Sequence, residues 1–351
     1  MPEQRLAIIG YGLAGSVFHA PLVTATPGLS VAAIVTANEQ RQAKAKSDHP
    51  DARVLASSDA LWAIADELDG VVIATANDSH VELAMRAIDL GLATVVDKPL
   101  APSAGEARAL ITRAQERRTL LTVFQNRRWD SDQLTLARLL ADGALGSVLR
   151  YESRFERWRP QARPEAWRER SAPAQGGGLL LDLGSHLVDQ ALGHFGTVAE
   201  VYAEIASVRG TPADDDVFVA LTHRSGTISH LRASSVTAAP GPRLRVLGSD
   251  AALIVRELDS QEERLRAGQR PDTAADWGVE PAHAHPRLIT GERSVPLTPE
   301  RGAWQRFYEQ LALALGGQGP VPVDPNEAVA ALRVIEAARA SAASQEVVKF
   351  A

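Results

Sequence analysis

The 351-residue chain contains no cysteine. Disulfides, thiolate nucleophiles, iron–sulfur clusters and the usual structural zinc sites are therefore excluded. Lysine is nearly as scarce: of 37 basic residues only Lys44, Lys46, Lys98 and Lys349 are lysines. No uninterrupted apolar run approaches the ~20 residues that span a bilayer. Excess positive charge is also missing. The net charge is −6, so nothing global draws the chain to nucleic acid or an anionic membrane. The opening MPEQR runs straight into Leu6-Ala7-Ile8-Ile9, without a basic region ahead of a long apolar stretch. No secretory signal is expected, and the expected location is the cytoplasm.

What is present suits an ordinary globular protein of two domains, with 45% hydrophobic and 23% charged residues. LAIIG (6–10), VAAIVT (31–36), GVVIAT (70–75), ATVVDK (93–98) and residues 120–124 are continuous apolar runs, as parallel strands buried on both faces require. Helix-compatible stretches at 15–24, 38–47, 59–68, 79–90 and 103–117 alternate with them. This succession predicts a doubly wound parallel sheet with right-handed crossovers, over residues 1–123. From residue 124 to 351 the texture changes. Partly alternating runs at 148–158, 198–208, 216–224, 227–234, 243–247 and 253–258 predict an antiparallel sheet covered on one face. A helix is expected at 179–194, a long loop at 260–298, two helices near 300–316 and 325–341, and a strand at 346–350.

Gly10-Tyr11-Gly12-Leu13-Ala14-Gly15 is a GxGxxG at the end of the first strand and the start of the first helix. Gly10 permits the tight turn, Gly12 admits a pyrophosphate close to the backbone, and Gly15 allows strand–helix packing. The helix amino terminus supplies free N–H groups to the anion. The second strand ends in Thr36 and Asn38, with Glu39 and Arg41 following, where an NAD-selective site usually carries a carboxylate. Hydroxyl, amide and guanidinium groups favour NADP, with NAD possible if Glu39 reaches the ribose and Arg41 is only a solvated helix residue. Thr75, Asn77 and His80 follow the next buried strand and are further candidates for cofactor contact; Ser79 reads equally as a helix cap.

Lys98 closes the strand ATVVDK, within Asp97-Lys98-Pro99. At the carboxyl end of a buried strand it can bind a reacting hydroxyl and stabilise a developing alkoxide; the alternative is a strand-end lysine paired with Asp97. Asp182, His186 and Asp189 fall at i, i+4 and i+7 of the expected 179–194 helix, opposite a stripe of Leu180, Leu183, Leu187 and Ala191. A carboxylate and an imidazole one turn apart suit proton transfer near neutral pH. His186 as a buried core histidine, or the group as a metal site, are the competing readings, and the metal reading lacks a second histidine at ligand spacing. No metal is expected. Three glycines just before this helix, Gly176 to Gly178, let the backbone crowd a ligand. Although only 5% of the chain is aromatic, aromatics and arginines crowd residues 124–168, where Asn126, Arg127, Trp167 and Arg168 are candidates for substrate contact.

These residues resemble those of the Gfo/Idh/MocA oxidoreductases. The family's Glu-Lys-Pro appears as Asp97-Lys98-Pro99, its Asp-x-x-x-His as Asp182 and His186, and its Thr-Pro-Asn turn as Thr75-Ala76-Asn77. GYGLAGSVFHAPL at the start, NRRWDSD (126–132), GGGLLLDLGSHLVDQ (176–190) and RPDTAADWG (270–278) are similar to the NADP-dependent scyllo-inositol dehydrogenases and their relatives. Those relatives place Arg where this chain has Asn38, which leaves Arg41 to meet a 2′-phosphate. The resemblance implies a Rossmann domain followed by an α/β domain with a large open, mostly antiparallel sheet. It implies hydride transfer between NAD(P) and a secondary alcohol on a cyclic polyol or sugar, with Lys98 polarising the hydroxyl, His186 as general acid/base and Asp182 binding substrate and biasing the imidazole. A homodimer or homotetramer through the carboxyl-terminal sheet is expected, since its open face needs covering. Two alternatives stay open: a silent NAD(P)-sensing regulator on the same fold, and a dehydrogenase acting on a non-sugar.

Overall fold

The computed structural model describes residues 3–163, 167–173 and 176–350, with the side chains of Trp167 and Arg168 outside the description. Six parallel strands form the first sheet: β1 (Gln4–Ile9), β2 (Leu29–Val35), β3 (Arg53–Leu55), β4 (Gly70–Ile73), β5 (Ala93–Asp97) and β6 (Leu121–Phe124). Their spatial order is β3-β2-β1-β4-β5-β6. Every residue of β4, β5 and β6 is buried, which is why those segments carry continuous apolar runs instead of alternation. The strand order reverses between β1 and β4, so a crevice opens at their carboxyl ends, the place where such sheets bind ligands.

The second sheet has nine strands: β7 (Val148–Glu156), β8 (Val198–Ala206), β9 (Asp216–His223), β10 (Ile228–Ser234), β11 (Leu244–Gly248), β12 (Ala252–Val255), β13 (Arg287–Thr290), β14 (Arg293–Pro296) and β15 (Val348–Lys349). Its order is β14-β13-β12-β11-β7-β10-β9-β8-β15, antiparallel throughout except for the parallel pair β7 and β10. In β9 buried and half-buried residues alternate strictly, so one face is covered and the other is open. Helix 185–195 and the long helix 325–344 pack on the covered face.

Helix 325–344 belongs to both halves. It also packs against helix 104–117 and β6, and its Glu336 accepts the first N–H of helix 104–117 at 2.8 Å. Just before it, the Val323 carbonyl accepts the Thr122 hydroxyl of β6 at 2.8 Å.

Three elements differ from expectation. The 260–298 segment is not one long loop: it holds a helix, Gln261–Arg266, and the hairpin of β13 and β14. That hairpin turns on Gly291 at φ 56, a Gly-x turn between strands too exposed to alternate visibly. A helix at Ser131–Ala141 escaped because half of its buried face is polar, with Ser131, Asp132, Gln133 and Thr135 turned inward, which blurs the apolar period. The edge strand β3 has only three residues. No helix among the described residues is long and apolar enough to cross a membrane.

Candidate active site

The glycine-rich turn joins β1 to a π-helical turn, Ala14–His19. Gly10 sits at φ 97, and a β-carbon there would stand 2.5 Å from the Ala74 carbonyl oxygen. At Gly15 it would fall 1.9 Å from the Gly10 oxygen, so strand–helix packing excludes every other residue. At Gly12 the space is open, and the nearest group is the Arg41 guanidinium at 3.7 Å. An open cradle of backbone with a cation above it fits a dinucleotide pyrophosphate or a 2′-phosphate.

The remaining cofactor candidates divide. Leu13 is exposed at the mouth of the turn and Ala14 is half-buried behind it. Tyr11 is buried with its hydroxyl on Asp48 at 2.8 Å, so only its backbone can serve a ligand. Thr36 is buried at the end of β2, and Asn38 caps helix 39–48 by accepting the Arg41 N–H at 3.0 Å. His80 is buried between the carbonyls of Pro99 and Thr75, a link between two loops. Thr75 takes the Ser79 hydroxyl at 2.7 Å, and Asn77 donates to the Gly176 carbonyl at 2.8 Å, stitching the cofactor turn to the second domain. Asp97 accepts the Lys98 backbone N–H and faces His19, itself hydrogen-bonded to Tyr308.

Lys98 is aimed away from Asp97. Its ammonium donates to the Asp182 carbonyl at 2.7 Å and to the Asp182 carboxylate at 2.6 Å. Asp182 lies in a second π-helical turn, 180–184, ahead of helix 185–195, where such a widened turn presents backbone groups to a site. His186 is 5% exposed, and its Nδ1 donates to Gln125 Oε1 at 3.1 Å. An amide oxygen can only accept, so Nδ1 carries the proton and Nε2 keeps its lone pair. Burial, then the charges of Lys98 and Arg127 against the opposing Asp182, with Arg243 beyond, hold the imidazole well below its ordinary pKa. It stays neutral and ready to accept a proton.

Gln125 therefore does what was expected of Asp182: it fixes the imidazole. Nothing in the sequence marks it, because a glutamine after a strand belongs to no motif. Gln125→Leu should lower kcat about 10- to 100-fold by freeing the ring. Gln125→Glu places a carboxylate beside the ring and should raise the pKa of the acid limb in a kcat/KM–pH profile. An unmoved limb in Gln125→Glu would remove Gln125 from this role.

The other expected contacts divide. Asp189 is held by Arg128 at 2.6 and 2.8 Å, outside the catalytic group. Asn126 is buried in a 3-10 turn, 126–129. Arg127 is buried against Phe155 and Trp304, paired with Glu262 at 2.7 Å and Asp130 at 3.3 Å. The side chains of Trp167 and Arg168 are outside the described residues. The three glycines are crowded by protein, and packing alone accounts for their lack of a side chain. β-Carbons there would meet Asn77 at 2.8 Å, the Ser171 carbonyl at 1.9 Å and the Asp214 carboxylate at 2.1 Å.

This geometry has counterparts. A family model described as an oxidoreductase family with an NAD-binding Rossmann fold matches residues 4–125, and one described as a GFO/IDH/MocA C-terminal domain matches residues 134–254. The chain is 37% identical over 334 residues to the oxidoreductase YdgJ of Escherichia coli, covering 95% of this chain and 94% of that one. It is 32% identical over 343 residues to IolW, the scyllo-inositol 2-dehydrogenase (NADP(+)) of Bacillus subtilis, covering 96% and 93%. The solved structure of the oxidoreductase YvaA of Bacillus subtilis superposes with a TM-score of 0.93 at 30% identity, covering 100% of this chain and 99% of that one.

Proposed function

The chain belongs to the Gfo/Idh/MocA family of NAD-binding oxidoreductases, and from that premise we propose that it interconverts a secondary alcohol and a ketone on a cyclic polyol or sugar, using NADP in preference to NAD. The observation that carries the reading is the convergence of Lys98, Asp182 and His186 at the carboxyl edge of the first sheet. Lys98 binds the reacting hydroxyl and stabilises the oxygen as it loses its proton. Asp182 holds the ammonium in place and accepts a neighbouring substrate hydroxyl. His186 Nε2 takes the proton in the oxidative direction and returns it in the reductive one, because Gln125 keeps the other proton on Nδ1. A nicotinamide cofactor held by the turn of Gly10, Gly12 and Gly15 would supply the hydride acceptor for the carbon that bears the hydroxyl.

Two observations support NADP. No carboxylate ends β2, and the Arg41 guanidinium leans over the glycine-rich turn. Gly10, Gly12 and Gly15 would receive the pyrophosphate, with Thr36, Asn38 and Arg41 towards the adenosine ribose. The test is a panel of inositol isomers and common aldoses, each with NAD and NADP, read by the absorbance of the reduced nicotinamide. Turnover with a member of the panel, faster with NADP, is expected. No turnover with either cofactor would overturn the substrate class, and faster turnover with NAD would overturn the cofactor preference.

The assembly follows from the open face of the second sheet, where Phe218 and Ile228 are only half-covered. A second copy laid against this face makes a homodimer or homotetramer. Light scattering at micromolar concentration should give twice or four times the chain mass; a monomer would contradict it.

A further inference from the structure

Beside His186 opens a cavity of ≈ 550 Å³, whose lining includes Arg127, Phe155, Arg157, Arg243 and Glu262. It borders the catalytic group: the Phe155 ring in its wall lies against the His186 ring with centroids 6.4 Å apart, and Arg157 feels the charge of Asp182. Phe155 ends the buried face of β7, and Arg157, just past the end of the strand, lines the same cavity. The Arg157 backbone is fixed on both sides. Its N–H donates to the Ser234 carbonyl at 2.8 Å and its carbonyl accepts the Thr237 N–H at 3.1 Å.

The other cations at the base of this cavity each have a carboxylate. Arg127 has Glu262 at 2.7 Å and Arg243 has Asp132 at 3.4 Å; Lys98, outside the lining, has Asp182 at 2.6 Å. Arg154 on the rim has Glu152 at 2.7 Å. Arg157 has no side-chain hydrogen bond or ion pair among the described residues, although it is half-buried. Arg159 and Arg256, which also line the cavity, are exposed. A half-buried guanidinium stays charged, and leaving its five donors without an acceptor is costly. Burial and the neighbouring Arg159 act against its charge, while Glu262 and Asp182 act for it only from a distance.

We propose that Arg157 is the receptor for a carboxylate on the substrate, so that the cyclic polyol or sugar oxidised here is an acidic one, of the uronate or aldonate type. This deepens the dehydrogenase reading and rests on it. A planar guanidinium meets a carboxylate through two parallel hydrogen bonds, and that pairing would anchor the ring with its reacting hydroxyl between Lys98 and His186. A phosphate monoester, with its second negative charge, is the competing anion, and the experiment separates the two.

The experiment compares galactose, galacturonate and galactose 6-phosphate as substrates of the full chain, as wild type, R157Q and R157K. Wild type should favour galacturonate over galactose in kcat/KM by about tenfold or more, and R157Q should lose about 10- to 100-fold more on galacturonate than on galactose. R157K should recover part of that loss. Equal loss on both sugars, or a wild type that prefers galactose, overturns the proposal and leaves the dehydrogenase reading standing; a preference for the phosphate ester overturns the carboxylate. Calorimetric titration of galacturonate into the protein with NADPH present keeps the two readings apart. Binding by wild type that R157Q abolishes, without turnover of any of the three sugars, supports the anion receptor and counts against the dehydrogenase reading. Absence of binding overturns the receptor.

Discussion

Lys98→Arg should lower kcat by about 10³-fold or more while changing the dissociation constant for NADPH by less than about threefold. The charge is retained, so the loss would report shape. The lysine side chain is 12% exposed, and its ammonium fits between a carbonyl and a carboxylate of the same residue, at 2.7 and 2.6 Å. A guanidinium is longer by one atom and spreads its donors over a plane, so it cannot place a single donor at that point and also turn one towards the reacting oxygen. Lys98→Met, which removes the charge, should be at least as impaired. Turnover within tenfold of wild type in Lys98→Arg, measured with saturating cofactor, would mean that Lys98 only binds.

The second large effect concerns the base. His186→Ala should cost about 10²- to 10⁴-fold in kcat. It should also erase the acid limb of the kcat/KM–pH profile, a signature that lost packing alone does not produce. The sign follows from the surroundings. Burial and the charges of Lys98 and Arg127 lower the pKa of His186, so the neutral base persists below the ordinary value of 6.5 and activity falls only at still lower pH. A wild-type limb above 6.5, or a limb that survives in His186→Ala, would assign the proton transfer to another group.

Much of this arrangement was legible before any coordinates. Doubly wound sheets announce themselves, because strands buried on both faces are continuous apolar runs, and Gly10 and Gly15 are required by turn geometry and contact, with Gly12 left open between them. Lys98, Asp182 and His186 were recognisable as residue types at the ends of particular elements. Their partnerships were not. Asp182 lies 84 residues from Lys98 and binds it, where helical spacing had pointed to His186. Gln125 lies 61 residues from His186 and carries no motif. Spacing along one helix reports which groups share a face, and long-range pairing decides which of them touch. The same limit explains Gly176 to Gly178, whose small size is required by Asn77, Ser171 and Asp214, not by a ligand. It also explains the buried polar face of helix 131–141, which only its distant partners satisfy, as when Ser131 N–H meets Asp259 at 2.7 Å.

Helix 325–344 has a bearing on synthesis. The Rossmann half leaves the ribosome first, and amino-terminal domains ordinarily fold as they emerge. Here the cover over β6 and helix 104–117 is made far later: 201 residues separate Thr122 from Val323, and 232 separate Ala104 from Glu336. The nascent first half thus carries an apolar strip that stays open while all but the last strand of the second sheet is translated. Two domains by architecture mature as one unit by timing, and the interval between them is where this chain has most need of a chaperone.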